Sequence, residues 1–143
     1  MSEKNVVLKA EMLNKHFGKK HIIKNVSFDV FEGEIFGFLG PNGSGKTTTI
    51  KMIMGLLDID SGSIQIGGCD RVKDFEGALA QIGGIIESPD TYSYLSGYKN
   101  LEVYSRLRGK IDKARIAEVI KLVGLENRIR DKVKTYSLGM KQR

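Results

Sequence analysis

The residues best suited to chemistry are consecutive: Gly40-Pro41-Asn42-Gly43-Ser44-Gly45-Lys46-Thr47, which matches the pattern G-x-x-x-x-G-K-[ST] in full. Each type has a reason to be there if the loop wraps a polyphosphate. Backbone N–H groups must point inward, and Gly43 and Gly45 permit backbone angles that a Cβ forbids. A helix opening at Gly45 would aim its first N–H groups and the positive end of its dipole at the anion. Lys46 supplies a mobile cation to the β- and γ-phosphates, and the Thr47 hydroxyl is a ligand for Mg²⁺ bridging them. The competing reading, a glycine-rich turn that happens to hold Lys-Thr, does not explain the flanks. A nearly continuous apolar run, Ile35 to Leu39, precedes the loop and an amphipathic segment follows it.

Those flanks are the elements that must position the loop. Leu8, Ala10 and Met12 alternate with polar residues, as do Val26, Phe28 and Val30, so two half-buried strands are expected. Ile35 to Leu39 suits a strand buried on both faces. Ile50, Ile53, Met54 and Leu57 form one helical stripe. Asp60-Ser61-Gly62 reads as a turn, Ser63 to Ile66 as a short strand closed by Gly67-Gly68, and Ile82 to Ile86 as another strand. After residue 96 the period becomes helical. Ser96 caps an expected helix to about Leu107, with Gly109 as its stop. Asp112 caps the next, striped by Ile116, Val119, Ile120 and Val123 and ended by Gly124, and Leu125 to Val133 is a third candidate. The order predicts an α/β core carrying a helical part.

Composition sets bounds on this reading. The chain has 143 residues, 41% apolar and 28% charged, ordinary for one globular domain. No apolar run approaches the roughly 20 residues of a membrane span, and no signal core follows the N-terminus. The single cysteine, Cys69, cannot form an internal disulfide and is read as passive. His16 and His21 have no metal spacing and are read as solvated. The net charge of +6 is uneven: residues 91–143 hold 13 Lys/Arg against 5 Asp/Glu, residues 1–90 hold 10 against 12. Such a basic part can face phosphates, anionic lipid or an acidic partner, or be a plain solvated face.

From Leu13 to Leu57 the chain resembles the ATP-binding subunits of ABC transporters. The resemblance rests on Asn14-Lys15-His16-Phe17-Gly18, Lys24-Asn25-Val26-Ser27-Phe28 and Gly33 through Gly43, followed by Ser61-Gly62-Ser63-Ile64. At the far end, Tyr136-Ser137-Leu138-Gly139-Met140-Lys141-Gln142-Arg143 is similar to the family signature. Within the family the wording is most similar to subunits of exporters that protect bacteria against bacitracin and lantibiotic-type peptides. The resemblance implies a P-loop NTPase core with an antiparallel β subdomain and a helical subdomain, residues 1–90 and 91–143 of one cassette. It implies ATP and Mg²⁺ as ligands. The nucleotide-binding set is then Phe17, stacking on adenine, with Gly40, Pro41, Asn42, Gly43, Ser44, Gly45, Lys46, Thr47 and Thr48. Mg²⁺ falls to Thr47 and to Glu87, which stands where the family has its Q-loop glutamine.

Ser137 and Gly139 are the signature residues that would face nucleotide on a second cassette, although Leu138 and Met140 depart from the common Leu-Ser-Gly-Gly-Gln. Tyr92, Tyr94 and Tyr98 lie where the family touches its transmembrane subunit, which would place the protein at the inner face of the membrane. The family's Walker B strand, catalytic glutamate, D-loop and switch histidine are not in these residues, so the chain reads as an incomplete cassette with no catalytic residue for hydrolysis. An ABC-type ATPase acting on nucleic acid or ribosomes is the alternative. No interleaved aromatic and basic pattern suggests base stacking, and no nucleic acid is expected.

Overall fold

A computed structural model of the chain describes residues 5–86, 91–107, 109 and 111–143. They fall into two compact units, Met1–Ile86 and Glu87–Arg143. In the first, strands β1 (Val6–Phe17), β2 (Lys20–Phe31), β3 (Ser61–Ile66) and β4 (Cys69–Asp70) form one antiparallel sheet in the order β2-β1-β3-β4. Helices α1 (Lys46–Ile53) and α2 (Phe75–Ala80) belong to the same unit. Its core joins Ala10, Leu13 and Ile23 with Met52 and Ile53 of α1, Ile64 and Ile66 of β3, and Ala78 of α2.

The alternation along β1 breaks at a bulge. Met12 has φ +49°, Asn25 across the ladder has φ +50°, and the pairing of β1 slips between Ala10 and Leu13 on one side and between Glu11 and Asn14 on the other. One extra residue shifts the phase, so the side chain that follows it falls on the other face. Leu13 is therefore fully buried, whereas Met12, expected on the apolar face, is 55% exposed. Polar groups hold the bulge: Met12 N–H donates to Ser27 Oγ (2.8 Å), Asn14 Nδ2 to Met12 O (2.8 Å) and to Asn25 Oδ1 (2.8 Å). Gly62 (φ +99°) lies so close that a Cβ there would meet the carbonyl oxygens of Glu11 and Met12 at 2.5 Å.

Two expected strands do not form. Residues 34–40 and 82–86 have no ladder, and Ile35 and Leu39 are almost wholly exposed. A strand of this all-apolar kind is stabilised by parallel neighbours on both sides, and among the described residues none lies alongside. The run is instead anchored through its rings: Phe36 and Phe38 pack on Phe28 with centroids 5.2 and 5.4 Å away.

In the second unit, α3 (Gly97–Leu107) and α4 (Lys113–Leu122) begin where expected. Ser96 Oγ accepts from Lys99 N–H (3.2 Å) and Asp112 Oδ1 from Ala114 N–H (3.2 Å). Leu125 to Val133 is not a helix but a series of turns leading to a 3₁₀ turn at Val133–Thr135 and to α5 (Leu138–Gln142). Its carbonyls are taken elsewhere: Ile129 O and Asp131 O accept from Tyr98 and Gly97 N–H at the start of α3 (2.8 and 3.2 Å). Leu125, Val133 and Tyr136 form the small core here, with the Tyr136 hydroxyl donating to Arg128 O (2.8 Å).

The phase slip at Met12 makes a sharp prediction. Leu13→Ala should lower the unfolding free energy of the full-length protein by roughly 2–5 kcal/mol, while Met12→Ala should change it by no more than about 0.5 kcal/mol. Urea unfolding midpoints of the two variants check this; equal losses would mean the bulge is misplaced.

Candidate nucleotide site

Gly45 is where the loop becomes the helix. It has φ +94° and ψ 6°, and it occupies the N-cap position of α1 without any side-chain cap. Thr49 N–H donates to Gly45 O (2.8 Å), and the Thr49 hydroxyl, buried, does so as well (3.1 Å). The N–H groups of Lys46, Thr47 and Thr48 belong to the first helical turn, which has no carbonyl partners of its own. Gly43 also has positive φ (+80°), and Ser44 N–H donates to Pro41 O (3.2 Å) to close the loop. A Cβ on Gly45 would collide with Ile23 Cδ1, and one on Gly40 would meet Ser44 Oγ at 2.7 Å.

A cleft of about 250 Å³ lies over this turn, lined by Ile22, Asn42, Gly43, Gly45, Lys46, Thr47 and Thr48. The Lys46 ammonium donates to Gly40 O (2.7 Å) and Pro41 O (2.8 Å), which folds the cation back over the loop. Backbone donors, a dipole end and a cation converge on one opening, and that donor set fits a polyphosphate. A larger groove of about 380 Å³ between α3 and α4 is lined chiefly by apolar groups such as Leu101, Leu107, Ile111 and Ile116, with Arg115 its sole charged residue. It has no comparable convergence of donors.

Residues 23–143 match the ABC transporter family. The chain belongs to that family. It is 51% identical over 137 residues to an uncharacterized ABC transporter ATP-binding protein, YdbJ, of Bacillus subtilis (strain 168), covering 96% of this chain and 44% of that protein. It is 39% identical over 139 residues to the bacitracin transport ATP-binding protein BcrA of Bacillus licheniformis, covering 97% and 45%. Among solved structures, an ATP-binding subunit of an ABC transporter superposes with a TM-score of 0.83 at 29% identity, over 95% of this chain and 58% of that one. The chain thus spans somewhat under half the length of these curated relatives, and its sheet and helices are those of part of an ABC cassette.

Among the cassette's other expected site residues, Phe17 ends β1 beside the hairpin turn and is about half exposed. It pairs with Lys20, two residues before the cleft-lining Ile22. Ser137 is the N-cap of α5, its Oγ accepting from Met140 N–H (3.3 Å), and Gly139 has open space around it. These two belong to the second unit. Tyr92 and Tyr94 are exposed and meet edge to face at 6.0 Å. Glu87 lies outside the described residues. Cys69 is half-buried, and burial together with Asp74 pushes its thiol pKa up, which keeps it protonated.

Sequence reasoning missed a polar cluster behind Phe17. His16 and His21, read as solvated, stack on each other at 3.9 Å across the hairpin. Asp60, read as a turn residue, accepts from Lys15 Nζ (2.8 Å) and His16 N–H (2.6 Å) and contacts His16 Nδ1 (3.0 Å). Lys15 first, then the His16 N–H and ring, hold its carboxyl down to about 2. The only signal in the sequence was an acid placed before Ser-Gly, which turns share widely.

A carboxyl held below its usual value near 3.8 supports the hairpin above that pH and loses this support only as pH falls towards 2. Carbonyl-detected NMR should place the Asp60 midpoint near 2, and Lys15→Ala should raise it; a wild-type midpoint near 4 would show that the cluster does not form in solution.

Proposed function

We propose that the chain binds Mg-ATP at Gly40–Thr48 as the nucleotide-binding part of a subunit that powers an ABC membrane transporter exporting peptide antibiotics. One observation carries the ATP reading: the uncapped start of α1, with Lys46, opens onto a cleft lined by the loop itself. The transport reading is supported by family membership, and the cargo by the relative described as a bacitracin transport protein.

Each residue then has a task. The amides of Gly43, Gly45, Lys46 and Thr47 donate to phosphate oxygens, within a loop shaped by Gly40, Pro41, Asn42 and Ser44. Lys46 exchanges its two loop carbonyls for the β- and γ-phosphates, with no change in charge and little motion of the backbone. Thr47 and Glu87 hold Mg²⁺, which when bound neutralises charge between those phosphates. Thr48 lines the α1 side of the cleft. Phe17 offers a ring face to adenine. Ser137 and Gly139 serve the nucleotide of a second cassette, and Tyr92, Tyr94 and Tyr98 face the transmembrane partner, which holds the subunit at the inner membrane surface. Among the described residues we assign none as the base for hydrolysis.

Calorimetric titration of Mg-ATP into the full-length protein tests the assignment. A charged hydrogen bond contributes about 1.5–3 kcal/mol, so Lys46→Ala should weaken binding roughly 10- to 100-fold. Equal affinity in wild type and variant would remove Lys46 from the site.

A further inference from the structure

The residues that lead into Phe17 are held by Asp60. Asp60 follows α1 by a short connection whose Ile59 packs on the core of the first unit. Its N–H donates to Asn14 O (3.0 Å), its Oδ1 accepts from Lys15 Nζ (2.8 Å), and its Oδ2 accepts from His16 N–H (2.6 Å). The segment leaving the phosphate-loop helix therefore grips the three residues that lead into Phe17. Lys15 is drawn in by this pair until its side chain is only 12% exposed. Its ammonium lies 6.0 Å from the Phe17 ring centroid, over the ring. On the far side of His16, the His21 ring is stacked and its Nε2 bonds to Asn14 Oδ1 (2.9 Å), so the tip is closed on itself.

This arrangement is more than a turn needs. A cation over one face of an aromatic ring occupies that face and withdraws electron density from the other. Phe17 is about half exposed, so part of its surface remains accessible to a flat partner. We propose that Asp60 is a positioning residue for the nucleotide base: through Lys15 and His16 it fixes the Phe17 ring and assigns one face to the Lys15 ammonium, leaving the other to the base. The proposal rests on the reading that Phe17 stacks on adenine. It adds that phosphate and base recognition are joined by the connection from α1 to Asp60, so that the ring is set relative to the loop before ligand arrives. Preorganisation of this kind raises affinity by removing the cost of ordering the ring on binding.

The test compares Mg-ATP with Mg-tripolyphosphate, which has the phosphates and no base, by calorimetry on the full-length protein. Asp60→Ala should weaken Mg-ATP three- to tenfold and leave Mg-tripolyphosphate within twofold. Phe17→Ala should do the same, and the double variant should be no worse than Phe17→Ala alone. Lys15→Met, which keeps the stem and removes the ammonium, should give part of the loss. Lys15→Met and Asp60→Asn carry the same comparison if Asp60→Ala does not fold. A purely structural Asp60 would weaken both ligands alike, and that result overturns the proposal, as does an Asp60 variant that weakens neither. A Phe17→Ala variant that leaves the ratio of the two affinities unchanged overturns the stacking reading itself. Selectivity lost in Phe17→Ala but kept in Asp60→Ala and Lys15→Met removes the positioning role alone.

Discussion

Gly45 has no room for a side chain, and much of the candidate nucleotide site follows from that. Its left-handed turn lies against Ile22 and Ile23 of β2, close enough that a Cβ there would collide. That turn starts α1 without a side-chain cap, and the first residues of the helix, Lys46, Thr47 and Thr48, line the cleft. A residue with a Cβ would be opposed twice, by backbone strain at positive φ and by contact with Ile23. The glycine also explains how core and site are coupled. Ile23 is fully within the core that Met52 and Ile53 of α1 complete, so the packing that stabilises the sheet also sets the position of the loop.

The same economy of contact operates towards the tip of the β1–β2 hairpin. The bulge at Met12 turns β1 so that Leu13 enters the core, and the residues after it, Asn14 to His16, are left along the sheet edge of β3 where Asp60 reaches them. Beside this irregular stretch, with Met12 and Asn25 bridged by Asn14, the Asp60 carboxylate collects the Lys15 ammonium and the His16 ring and N–H, and the Asp60 N–H donates to Asn14 O.

What the sequence disclosed was local. The loop, the hairpin strands, and the helix starts at Ser96 and Asp112 depend on residues within a few positions of one another, and each was legible. The phase slip at Met12 was not, because alternation of apolar residues has no mark for an inserted residue; the mark is Ser27, 15 residues away. Ile35 to Leu39 reads as a buried strand because its composition anticipates neighbours, and among the described residues those neighbours are not there to pair with it. Leu125 to Val133 has helical periodicity but gives its carbonyls to α3. Asp60 and the stacked histidines were invisible for the same reason, since nothing within the sequence links residue 60 to residues 15 and 16.

Amide NMR of the full-length protein, with glycine, lysine and threonine labelled, tests most directly whether this turn is a phosphate cradle. On addition of Mg-ATP the amides of Gly43, Gly45, Lys46 and Thr47 should shift together, and adenosine alone should leave them in place. Shifts confined to other residues, or none at saturating nucleotide, would contradict the assignment of the cleft.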